Sequence, residues 1–121
     1  MKRQLFPITT DASGDASVQT NPSITGELYA IEYRPGTIAT GATLTVTCEG
    51  DAIKPLLTKA SAGTSNSWYY PRDLVNAVAD GAALTGTAGG DRTKPILNGR
   101  VKVVIASGGN TTTGSVIVYY E

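Results

Sequence analysis

The chain reads Arg100-Val101-Lys102-Val103-Val104-Ile105-Ala106, then Ser107-Gly108-Gly109-Asn110-Thr111, then Ser115-Val116-Ile117-Val118-Tyr119-Tyr120. The two flanking runs are strand sequence. Their β-branched side chains suit a pleated, half-buried surface and lose χ1 freedom in a helix. Gly and Asn between them accept positive φ, so the segment predicts a β-hairpin. Upstream, alternation over residues 24–33 assigns Leu28, Ala30 and Glu32 to one face and Tyr29, Ile31 and Tyr33 to the other. Arg34-Pro35-Gly36 closes that run. Residues 42–49 alternate as well, with Leu44, Val46 and Cys48 on one face, and Glu49-Gly50-Asp51 turns the chain into residues 53–59. Residues 4–9 and 16–20 are shorter extended pieces on either side of a turn at 11–15, and Pro7 marks the first as an edge strand. Seven or eight such strands predict an all-β fold: a single antiparallel β-sandwich or barrel, jelly-roll-like, with 24–33, 42–49, 100–106 and 115–120 at its centre.

Composition agrees and narrows the function. The 121 residues make one domain, and 17 Thr, 14 Gly and 6 Pro favour pleated surfaces punctuated by turns. The chain has no His and one Cys, which removes His-based acid/base chemistry, Ser-His-Asp and Cys-His nucleophiles, and zinc sites built from His or Cys. Cys48, on the apolar face of its run, reads as a small buried hydrophobe. Ten acidic residues balance ten basic ones, and the basic residues are scattered, so neither nucleic acid nor a membrane surface is an expected partner. Met1-Lys2-Arg3 is followed by Leu5-Phe6-Pro7-Ile8, too short an apolar stretch for a secretion signal, and synthesis in the cytoplasm as a soluble protein is expected.

Few clusters suggest chemistry. Asp11, Asp15, Glu49 and Asp51 supply carboxylates, but without the spacing of a calcium loop, and Asx turns explain the first two. Gly86-Thr87-Ala88-Gly89-Gly90 does not lead from a strand into a helix, as a phosphate loop must. Residues 82–91 read as a surface loop, and Asp73-Leu74-Val75-Asn76-Ala77-Val78-Ala79 as one or two helical turns. No catalysis, cofactor or metal is expected.

Two segments suit partner contact. Trp68-Tyr69-Tyr70 is followed by Pro71-Arg72; in a strand, Trp68 and Tyr70 share one face and Tyr69 takes the other. The aromatics and Arg72 are residue types enriched at interface hot spots, though packing inside the domain is the competing reading. At residues 1–8, Leu5 and Phe6 follow Lys2 and Arg3, and Pro7 pre-sets an extended chain. This predicts an N-terminal arm that docks on a partner, with self-packing as the alternative. The candidate contact residues are therefore Leu5, Phe6, Trp68, Tyr69, Tyr70 and Arg72.

Ser13-Gly14-Asp15-Ala16-Ser17-Val18, with Ile24-Thr25-Gly26-Glu27-Leu28-Tyr29-Ala30-Ile31-Glu32-Tyr33, resembles the front half of small β-rich head decoration, or minor capsid, proteins of tailed bacteriophages. Residues 100–110 and Thr113-Gly114-Ser115-Val116 resemble the back half of the same proteins, and Pro71-Arg72 falls where that group often carries Pro-Arg. Residues 50–91 otherwise depart from the pattern. The resemblance implies a virion structural protein, made in the host cytoplasm, that decorates and stabilises the capsid surface by binding the major capsid protein. It also implies self-association, with a homotrimer favoured because capsid facets offer three-fold sites. The alternative is a tail or fibre tip domain that binds host-surface carbohydrate.

Overall fold

Val101, Val103 and Ile105 are fully buried and alternate with more accessible neighbours, so the run around them becomes a long central strand. The computed structural model describes residues 1–20, 22–50, 52–74, 79–81 and 92–121. Its elements are β1 (Lys2–Thr9), β2 (Ala16–Gln19), β3 (Ile24–Arg34), β4 (Thr43–Glu49), β5 (Ile53–Lys59), β6 (Ser67–Tyr69), β7 (Asp73–Leu74), β8 (Arg92–Thr93), β9 (Ile96–Ala106) and β10 (Thr113–Tyr120). The fold is all-β, with no helix among the described residues. One antiparallel sheet runs β1-β10-β3-β9-β4-β5, with β2 added on β9 and β6 on β3; β7 and β8 form a separate pair. The sheet is open and not closed into a barrel, which settles that alternative of the sequence reading.

The two 11-residue strands serve both halves of this sheet. Ile24–Glu27 of β3 pairs with Ile96–Gly99 of β9. Beyond that join, β3 lies between β10 and β6, and β9 between β4 and β2. The halves β6-β3-β10-β1 and β2-β9-β4-β5 share one core: Phe6, Ile8, Leu28, Ile31, Tyr33, Val116 and Val118 from the first, Leu44, Val46, Cys48, Leu56, Val103 and Ile105 from the second. Gly99 sits at the join with φ 149, where a Cβ would lie 2.6 Å from the Glu49 carbonyl oxygen. Only glycine fits there.

Four features differ from the sequence reading. First, β9 and β10 are not paired with each other, so residues 107–112 are a crossover and not a hairpin turn. The Gly108 amide donates to Gly14 O (2.8 Å), the Gly108 carbonyl accepts from the Ala39 amide (2.9 Å), and Thr111 N donates to Asp11 O (3.1 Å). The hairpin expectation rests on Gly and Asn accepting positive φ; positive φ falls on Gly109, Ser107 and Thr111 and not on Asn110, and it turns the chain between the halves.

Second, the two faces of β3 are not a simple alternation. The register against β10 slips between Tyr119, opposite Ala30, and Tyr120, opposite Leu28, leaving Tyr29 as an extra residue. This β-bulge brings Leu28 into the core beside Ile31 and Tyr33.

Third, residues 1–8 are not a free arm. They form β1, in register with β10 from Lys2↔Tyr120 to Thr9↔Thr113, and Phe6 is 1% exposed in the core. The edge position admits Pro7, whose missing N–H would break a central ladder. Fourth, Asp73–Leu74 begins as strand β7 where helical turns were expected; residues 75–78 and residues 82–91, where a surface loop was expected, lie outside the described residues.

Candidate functional site

Strand alternation gives each half of the sheet an inner face for the core and an outer face. The outer face of the β2-β9-β4-β5 half is mostly polar, with Val104 between Ser17 and Thr45 and exposed Ile53 opposite Glu49. Thr45, Thr47 and Thr58 lie along it with Ser17, Gln19 and Lys102, in register across the strands. Lys102 Nζ is 3.7 Å from Glu49, and Gln19 donates to the same carboxylate at 3.1 Å. Three of the 17 threonines thus line one sheet surface.

The outer face of the other half is built differently. One row crosses all four strands in register: Leu5 on β1, Ile117 on β10, Glu32 on β3 and Trp68 on β6. Directly opposed residues on antiparallel strands point to the same side, roughly 5 Å apart. Leu5 and Trp68, at the two ends, are 52% and 49% exposed; Ile117 and Glu32 between them are buried. Trp68 stacks on Tyr119 at a centroid distance of 5.2 Å and 28° between planes.

A polar network fixes that surface. Arg34 Nε donates to Glu32 Oε2 at 2.8 Å and its Nη2 to Oε1 at 3.3 Å, while the Tyr119 hydroxyl donates to Oε1 at 3.0 Å. The Arg34 hydrogen bonds hold the Glu32 carboxyl below the usual carboxylate range against burial, which pushes it up; the Tyr119 hydroxyl and the Arg34 and Arg3 charges add to the lowering. The ring that carries Trp68 is thus tethered at its own hydroxyl, and a pre-ordered side chain loses less entropy on docking.

The same side of the sheet continues past the bulge. Tyr29, turned outward there, meets Tyr70 edge-on at 6.4 Å and 88°. Arg72 Nη1 donates to Tyr29 O (3.0 Å) and Pro71 O (2.7 Å), with its guanidinium carbon 5.9 Å from the Tyr29 ring centre. Lys94 Nζ lies 5.1 Å from that centre.

Of the residues expected at a contact surface, Leu5, Trp68, Tyr70 and Arg72 come to this side. Tyr69 points the other way, as the strand period requires, and packs against the core. Phe6 is a core residue and no part of the surface; it faces inward because its neighbour Leu5 faces out. Sequence reasoning missed Ile117 and Tyr119, although alternation in residues 115–120 sets them opposite Val116 and Val118. It also missed Tyr29 with Lys94, which only the bulge and the long-range register bring together. The acidic residues do not converge: Asp11 Oδ1 accepts from the Ser13 and Asp15 amides as an Asx turn, and Glu49 belongs to the polar face. Asp51 lies outside the described residues. No group of three or more His, Cys, Asp or Glu able to hold a metal occurs among the described residues.

No protein-family model, curated protein or solved structure matches the chain.

Proposed function

We propose that this chain is a structural protein of a tailed-bacteriophage virion that decorates the capsid surface by binding the major capsid protein. The observation that carries the proposal is the contrast between the two outer faces of one sheet. One is mostly polar, Thr45, Thr47, Thr58, Gln19, Glu49 and Lys102, with Val104 and exposed Ile53 as its scattered apolar side chains. The other presents exposed Leu5 and Trp68, with Trp68 stacked on a Tyr119 whose hydroxyl is tied to Glu32. Exposed aromatic and aliphatic side chains gathered on one rigid surface suit a protein contact, with Trp68 as its anchor. The resemblance of residues 13–18, 24–33, 100–110 and 113–116 to phage decoration proteins suggests the identity of the partner. A decoration layer makes the same modest contact many times, so a small patch per copy suffices once copies are linked, as in a trimer.

Mixing the purified chain with undecorated heads and sedimenting them tests the reading. Saturable co-sedimentation at hundreds of copies per head, lost in a Leu5→Ser/Trp68→Ser variant with an unchanged melting temperature, is the expected result. Failure of the wild-type chain to sediment with heads, or equal binding by the variant, overturns it. Binding to isolated tails or to host cells would point to the carbohydrate-binding tip domain instead. Sedimentation equilibrium at tens of micromolar checks the trimer.

A further inference from the structure

Arg72, Arg92 and Lys94 line one open depression of about 490 Å³ together with Glu27 and Thr93. The ion pairs among the described residues are Arg34–Glu32, Lys54–Asp73 and Lys102–Glu49, so none neutralises these three cations. What holds two of them close is the Tyr29 ring, whose centre lies within 6 Å of both the Arg72 guanidinium and the Lys94 ammonium. A ring quadrupole attracts each cation but does not cancel the repulsion between them. At physiological salt the screening length is about 8 Å, so like charges around one ring still feel each other. An anion seated among them relieves that repulsion. Arg72 is also held in place, because its Nη1 donates to two backbone carbonyls while the residue lines the hollow.

We infer that this depression is a carboxylate-binding site that takes an acidic peptide segment of a partner protein. Three features favour that ligand. The cations are confined to one hollow and do not form the long stripe that a nucleic acid backbone needs, on a chain of zero net charge. Glu27 in the same hollow repels a dense polyanion but leaves room for spaced carboxylates. The Tyr29 ring is already engaged by the Arg72 and Lys94 cations and meets Tyr70 at a right angle, which favours an anion over a stacked sugar here. Tyr70, 56% exposed, remains at the rim to cover an extended peptide. The inference does not depend on the capsid reading, since any acidic partner segment would satisfy it.

The probe is a fluorescein-labelled octaglutamate peptide titrated with the full chain and followed by anisotropy at low and physiological salt. Saturable binding that weakens with salt is expected. An Arg92→Gln/Lys94→Gln variant, which removes two accessible charges and no core contact, should bind roughly tenfold more weakly. Glu27→Gln should bind more tightly, and Leu5→Ser/Trp68→Ser should bind as wild type. Circular dichroism confirms that each variant is folded. No saturable binding at millimolar peptide, or equal affinity in the Arg92→Gln/Lys94→Gln variant, overturns the inference. So does tighter binding of heparin or single-stranded DNA than of octaglutamate when matched for charge, which would assign the hollow to a polysaccharide or a nucleic acid.

Discussion

Replacing Phe6 by alanine tests whether residues 2–9 are a core strand. Phe6 is 1% exposed and stands opposite Val116, which in turn stands opposite Tyr33; both of these are fully buried. Their strands are held by continuous ladders, so the walls around a deleted ring have little freedom to collapse. Truncation of a buried Phe then costs about 3–5 kcal/mol, the transfer term plus the cavity. A domain of this length has a total stability of roughly 6–18 kcal/mol, so the loss is a large fraction of it. The thermal midpoint should fall by roughly 10–25 °C. Leu5→Ala, one residue away on the exposed face, is the control and should cost about 0.5 kcal/mol. Urea melts of both variants, fitted by linear extrapolation, give the comparison. If Phe6→Ala folds and lies within about 1 kcal/mol of Leu5→Ala, β1 does not contribute to the core as described.

Three further outcomes are expected. Because the Glu32 carboxyl is held low in the folded protein, its contribution is fully present above the unfolded value of about 4.3 and is lost as pH falls through the lower folded value. Melting temperatures between pH 6 and 2 should therefore fall less steeply in Glu32→Gln than in wild type, and identical slopes would count against the network. Gly99→Ala forces a Cβ against Glu49 O and an L residue into φ 149, and should lose at least about 2 kcal/mol in a urea melt; a neutral result would remove the close approach at the join. Cys48 is buried, with its Sγ 3.4 Å from the Asn98 amide, so a thiol reagent should label native protein only as fast as it opens and label urea-unfolded protein at once.

The strands were legible because alternation is a local signal: residues 42–49 and 115–120 appear as β4 (Thr43–Glu49) and β10 (Thr113–Tyr120). Trp68 and Tyr70 took one side and Tyr69 the other for the same reason. Pairing was less legible, since it is decided by distant partners. A Gly-Gly-Asn segment between two strong strands looks alike whether it closes a hairpin or crosses between halves; contacts to Gly14 and Ala39 decide it here. The phase of β3 could not be read because the bulge at Tyr29 depends on its register with β10. The row from Leu5 to Trp68 likewise exists only through β10 and β3, which lie between them in space and not in sequence. Leu5 and Phe6 differ by one position, and only the register of β1 says which of them meets water.

Strand β10 lies between β1 and β3, yet it follows every other described strand in synthesis. Until it emerges from the ribosome, the first half of the sheet has no middle, and Phe6 and Tyr33 wait without the wall that Val116 and Val118 provide. At about 5–20 residues per second that wait lasts several seconds. The nascent chain spends it with unpaired strand edges, so folding is a late event that completes many long-range pairings together. A message truncated before residue 113 would yield a polypeptide that keeps the partners of the β2-β9-β4-β5 half but leaves β1 without a neighbour and one side of β3 unpaired.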